Sequence, residues 1–201
     1  MSESDVALSI ALGVGLAAAA GFRVFLPLLV MSAASLTGHL PVSEGFAWLA
    51  SPTALAMLSA AAVLEVLAYY IPGLDNLLDA LAAPAAIIAG VIASAAVMTD
   101  LPPIVKWTTA VIAGGGAAGL IHGAGAALRA SSTLGTGGLG NPIVATAELA
   151  GSLVVSLLAL AAPLVALALL VVIGLLALRL LRRFFRRSPT AADPPVGIDP
   201  G

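Results

Sequence analysis

The sequence reads as an all-α, polytopic integral membrane protein, a helical bundle of about six transmembrane helices. Of its 201 residues, 61% are hydrophobic and only 9% are charged, whereas an average soluble domain carries about 25% charged residues. Its mean hydropathy is +1.13. The apolar residues also fall in runs of about 20, the length that crosses a hydrocarbon core about 30 Å thick at about 1.5 Å per residue. These features exclude soluble, collagen-like, disordered and disulfide-stapled classes. The absence of cysteine removes disulfides, thiolate metal sites and thiol nucleophiles together. A net charge of -2 gives no reason to expect nucleic acid.

Residues 1–5 read as a cytoplasmic tail, 6–183 as a single transmembrane domain, and 184–201 as a basic, then disordered, tail. The spans are expected near 7–35, 53–71, 81–98, 104–128, 142–160 and 163–181. Turn chemistry separates them at Thr37-Gly38, Ser51-Pro52, Pro72-Gly73, Pro102-Pro103 and Gly135 through Pro142. The last break, Ala161-Ala162-Pro163, has no polar residue, and a tight hairpin is favoured there over one kinked helix. The first run is not a cleaved signal, because Glu3 and Asp5 precede it without a basic residue and it is too long. Three plus three spans invite an inverted repeat. Aligning Gly13–Leu36 with Val111–Leu134, however, yields only four identities, which composition alone explains.

Basic residues mark the cytoplasmic side. Arg179, Arg182, Arg183, Arg186 and Arg187 follow the last span, so the C-terminus is expected in the cytoplasm of a plasma (inner) membrane. An even number of spans puts the N-terminus there too. Arg129 agrees with this orientation and Lys106 does not. Trp48 and Trp107 form an outer aromatic belt, Tyr69 and Tyr70 an inner one.

Small residues four apart give helices close contact in lipid. Gly115, Gly119 and Gly123 share a face of the fourth span, Ala86, Gly90 and Ser94 one on the third, and Ala147 and Gly151 one on the fifth. The consecutive Gly114-Gly115-Gly116 marks either close packing or a deformable turn.

An ionisable side chain in hydrocarbon costs about 2.5–3.5 kcal/mol on insertion scales and asks for a reason. Four stand inside the spans: Arg23, Glu65, His122 and Glu148. Glu65 lies seven residues before Pro72, Glu148 seven after Asn141, and His122 seven before Arg129, so each is roughly 10 Å inside the cytoplasmic end of its span. Arg23 joins them if Pro27 kinks the first run. Such a layer either binds a small solute, proton or cation, or pins helix register through Arg–Glu pairs. Two adjoining loops offer further contacts. Asp75 and Asp79 share one face of an interfacial helix, where solvated residues are the simpler reading than a cation site. Thr136 and Asn141 lie in a glycine-rich turn where Asn141 can cap the fifth span. Nothing calls for a cofactor or a bound metal.

Three stretches carry a resemblance: Gly21-Phe22-Arg23-Val24-Phe25-Leu26-Pro27-Leu28-Leu29, Glu65 through Asp75, and Ser132 through Pro142 with Glu148. On these the chain resembles a family of bacterial multispanning membrane proteins catalogued as a domain of unknown function, over roughly residues 8–183. The resemblance implies a polytopic fold and no mechanism. Two functions compete: a small permease or channel with its polar layer toward the cytoplasm, and a non-transporting scaffold or partner subunit. Enzymatic activity is not expected, since Gly-x-Ser-x-Gly, His-Glu-x-x-His and cysteine nucleophiles are all missing. The lipid bilayer is the expected partner, and a homo-oligomer would suit so small a bundle.

Overall fold

The computed structural model describes residues 3–71 and 74–185, without the side chains of 74–80, 176–178 and 180–185. The described residues are helical, with no strand. The helices are α1 (Glu3–Phe22), α2 (Phe25–Leu36), α3 (Pro52–Ala68), α4 (Leu74–Val97), α5 (Pro103–Thr109), α6 (Gly116–Thr136), α7 (Asn141–Ala161) and α8 (Pro163–Phe185). A 3-10 turn, Glu44–Ala50, precedes α3, and a π segment, Ala110–Gly115, joins α5 to α6. Three stretches are long and apolar enough to cross a membrane: Glu3–Phe22, Pro103–Thr136 and Asn141–Ala161. The 3-10 turn and α3, bent by 72°, make a fourth if taken together.

The expected single span over 7–35 is corrected: it is a full-length helix and a half-length one, parted at Arg23-Val24. Pro27 supplies the reason. Inside one continuous helix its ring would strike the carbonyl of Arg23, four residues back, and it has no N–H to give. In the first turn of α2 the missing N–H costs nothing.

The chain divides into two compact units, Met1–Leu170 and Val171–Gly201. Within the first, α1 is the hub, with nine of its residues buried. A Cβ on Gly13 would meet Ser94 Oγ at 2.8 Å and one on Gly90 would stand 3.4 Å from Ala17, so α4 runs antiparallel to α1. On another side, Gly15 faces Ala159, Ser152 Oγ donates to Ala19 O at 3.0 Å, and Arg23 donates to Ala145 O, so α7 is antiparallel as well. The π segment and α6 pack against α4 through Gly114 and Ala118, in the same direction as α1. The face expected on the third span packs through Gly90 and Ser94; on the fourth, Gly115 and Gly119 meet Val91 and Ile87, Gly123 meets nothing within 4 Å, and the closest approach is made instead by Gly114 and Ala118. The glycine triplet is both closely packed and locally deformed, since Gly114 and Gly115 close the π segment.

The half-length α2 runs back the way α1 came. Ser43 N donates to Ala96 O at 2.8 Å, on the part of α4 that faces Gly13, about 18 Å from the level of Arg23. That drop equals the rise of a 12-residue helix. From there α3 returns, bringing Glu65 back to the start of α2. Beside the 3-10 turn that carries Trp48, the Phe46 and Trp107 rings approach to 6.2 Å.

α7 and α8 are separated by Ala162 alone, in an extended conformation (φ -150, ψ 75). Ala159 and Ala166 both stand within 4 Å of the same point beside Gly15. A straight helix would hold them about 10 Å apart, so the chain bends sharply between α7 and α8. In the second unit, α8 continues with Val171, Val172, Ile173 and Leu175 exposed. Arg186, Arg187 and the tail beyond lie outside the described residues.

Candidate functional site

Glu148 projects from α7 and is 6% exposed. Arg129 Nη1, from α6, donates to its Oε2, and Arg23 Nη2, from the end of α1, lies 3.7 Å from the same oxygen. Both arginines are buried, at 1% and 2% exposure. Gly125, one turn before Arg129, makes the room: a Cβ there would collide with Glu148 Oε1. Arg23 Nη2 also donates to Ala145 O at 2.8 Å, while its Nε and Nη1 make no hydrogen bond. Its guanidinium carbon instead sits 4.0 Å from the centre of the Tyr69 ring, and that of Arg129 lies 5.2 Å from it. A negative ring face thus helps to hold two positive groups that share one carboxylate.

Glu65 has a different task. It sits on the last turns of α3, half-buried, and its two oxygens accept from Val24 N at 2.7 Å and Phe25 N at 3.1 Å. These are the first N–H groups of α2, which have no partner inside the helix. The capping is needed because Val24 provides no side-chain oxygen. Among the described residues no arginine or lysine nitrogen reaches salt-bridge distance of Glu65. Its carboxylate has about four lone-pair sites, of which two are filled. Beside it a cavity of about 470 Å³ is walled by Phe25, Leu64, Tyr69, Leu81, Ala82 and Ala85, among others. Leu64 and Leu81, 66% and 62% exposed, form an open side. A second cavity of about 410 Å³, near Trp48 and Met57, shares Phe25 and Ala61 with the first.

Of the four residues expected at one depth, the structure joins Arg23 to Glu148 directly and sets Glu65 against the N–H groups that follow Arg23. His122 is buried on α6, seven residues before Arg129 and on the same side of the helix. That spacing was the signal for Arg129, which otherwise reads only as a topology marker. Tyr69, read as an interface aromatic, is 6% exposed beneath the two guanidiniums.

The loop residues are partly reassigned. Asn141 opens α7 but caps nothing; its Nδ2 donates to Thr133 Oγ1 at 3.0 Å. Thr136 ties the turn, its Oγ1 accepting from Gly140 N at 2.9 Å and donating to Ser132 O at 2.7 Å. The turn depends on Gly137 and Gly138, at φ 63 and 90, where other side chains would be strained. Asp75 and Asp79 fall in the first turns of α4, and their side chains lie outside the described residues. No curated protein and no solved structure matches the chain. One family does match, described as Domain of unknown function (DUF4126), over residues 10–183. That is most of the molecule, including every residue of the buried charge network, and the chain therefore belongs to this family.

Proposed function

We propose that the protein is a small membrane permease that takes a proton or cation at Glu65, in the cavity between α2, α3 and α4. One observation carries the reading: Glu65 is a carboxylate on an apolar helix that makes no salt bridge among the described residues, on the wall of a cavity, at the break between two helices. Interrupted helices with polar groups at the break are how many transporters build binding sites. Glu148, by contrast, supports the structural side of the competing scaffold reading, since its charge is consumed by Arg23 and Arg129.

In this proposal α1, α4, the α5–α6 stretch, α7 and α8 cross the bilayer. The α2–α3 hairpin leaves and rejoins the layer of Arg23 and Glu65. The N-terminus then lies on the face opposite the turn that follows α6, in place of the cytoplasmic N-terminus that six spans would require.

The test is flux. Vesicles containing the full chain and entrapped pyranine should take up protons faster than protein-free vesicles under an imposed pH gradient. Glu65→Gln should remove the difference while eluting as a folded species. Equal rates in wild type and Glu65→Gln would sink the reading.

A further inference from the structure

The cavity beside Glu65 has a chemical composition that selects among cations. Among the described residues its wall holds one carboxylate, one phenol and otherwise hydrocarbon: Val24, Phe25, Leu64 and Leu81 with four alanines. These described residues offer a small hydrated metal ion few oxygen ligands, whereas such ions take six or more. A cation with a large apolar body finds both things it needs. Among the described residues, Glu65 has two acceptor sites filled of about four and turns the others to the charge. The hydrocarbon wall takes the body, in a volume of about 470 Å³ that falls within the range of small-molecule sites. The second cavity adjoins the first, with Phe25 and Ala61 as shared wall residues. The open side between Leu64 and Leu81 is apolar, which suits a ligand that arrives from the lipid. The Arg23 guanidinium does not itself wall the cavity; it is held at Ala145 O and Glu148 over the Tyr69 ring, and Glu65 is the carboxylate that offsets its charge on the cavity side.

We infer that the site takes lipophilic monocations: ammonium or aromatic-amine compounds whose single positive charge is carried on an apolar skeleton. The inference rests on the permease reading only for its choice of site, and binding can be measured without flux.

The experiment uses the purified full chain in lipid nanodiscs and ethidium as the probe, followed by fluorescence anisotropy. Wild type should bind saturably, and an uncharged phenanthridine of similar size should not compete. Glu65→Gln should weaken binding tenfold or more. Because Glu65 also caps α2, a second variant fills the cavity without touching the carboxylate: Ala61→Phe should weaken binding to a similar degree while remaining monodisperse. The inference is overturned if ethidium does not saturate, if Glu65→Gln and Ala61→Phe both bind like wild type, or if the uncharged compound competes equally. Ethidium binding without proton flux would retain the ligand class and refute the permease. Glu65-dependent proton flux without ethidium binding would do the reverse.

Discussion

Glu65 and Glu148 are two carboxylates at one level of the bundle, and their surroundings differ in kind. Glu148 is enclosed, and two guanidiniums meet on one of its oxygens. Glu65 is half-buried, faces a cavity, and among the described residues accepts from two backbone N–H groups. The difference shows that an ionisable residue inside a membrane protein has two distinct justifications. One is neutralisation, which fixes helices to one another; the other is local backbone capping, which leaves acceptor capacity for something else. A buried pair is weak evidence of function, because breaking it is costly wherever it stands.

The contrast can be broken most directly at Glu148. Glu148→Gln leaves both arginines buried without their counter-charge, and a loss of about 3–5 kcal/mol is expected. Unfolding of the full chain in detergent checks this, and a loss below about 1 kcal/mol would make the pair dispensable. Next comes Gly125→Ala, whose methyl group invades the place of Glu148 Oε1. Overpacking of this kind costs about 1–3 kcal/mol, and a neutral result would show that Glu148 has another place to go. At Glu65 the expected effect is smaller. Glu65→Gln keeps one acceptor oxygen for the start of α2, and the loss should be near 1 kcal/mol, as for other N-terminal caps. If Glu65→Gln destabilises as much as Glu148→Gln, the two carboxylates are structural equivalents and the comparison fails.

The smallest perturbation sharpens the geometry around both residues. Ser4 and Ser131 are exposed, so Ser4→Cys and Ser131→Cys should each change stability by less than about 0.5 kcal/mol. The chain has no other cysteine, so a membrane-impermeant maleimide reads one position at a time. The two thiols should be labelled from opposite sides of the membrane. Labelling from the same side would contradict the fold-back of α2 along α1.

Much of this was legible in the sequence, for physical reasons that also set the limit. The turns at Ser51-Pro52, Pro102-Pro103 and Gly135 through Pro142 bound helices because proline and glycine act on the backbone locally. The shared level of Glu65, Glu148 and His122 followed from counting residues from Pro72, Asn141 and Arg129, and Arg23 joined them only through the kink expected at Pro27. Partnership was not legible. Arg129 reaches Glu148 from a full seven residues beyond His122, a matter of side-chain length and of the room left by Gly125. The split between α1 and α2 was half visible in Pro27. Both halves are apolar on every side, so hydrophobic patterning cannot tell one long span from a span and a returning half-helix. Asn141 misled because asparagine before proline signals a cap, whereas the helix already starts at Asn141, Gly140 takes the cap position, and the Asn141 side chain bonds Thr133.

The π segment at Ala110–Gly115 carries one consequence for how the family can vary. A π turn holds an additional residue relative to an α turn, and each residue turns a helix by about 100°. The widened turn therefore sets the azimuth of everything downstream, His122, Gly125 and Arg129 included. Tightening the turn to α geometry without removing a residue would swing Arg129 about 100° away from Glu148, whereas removing one residue along with the widened turn would leave it nearly in place. Chain length and turn geometry in this short, apolar stretch are thus tied to each other from a distance, by an electrostatic contact some fifteen residues later.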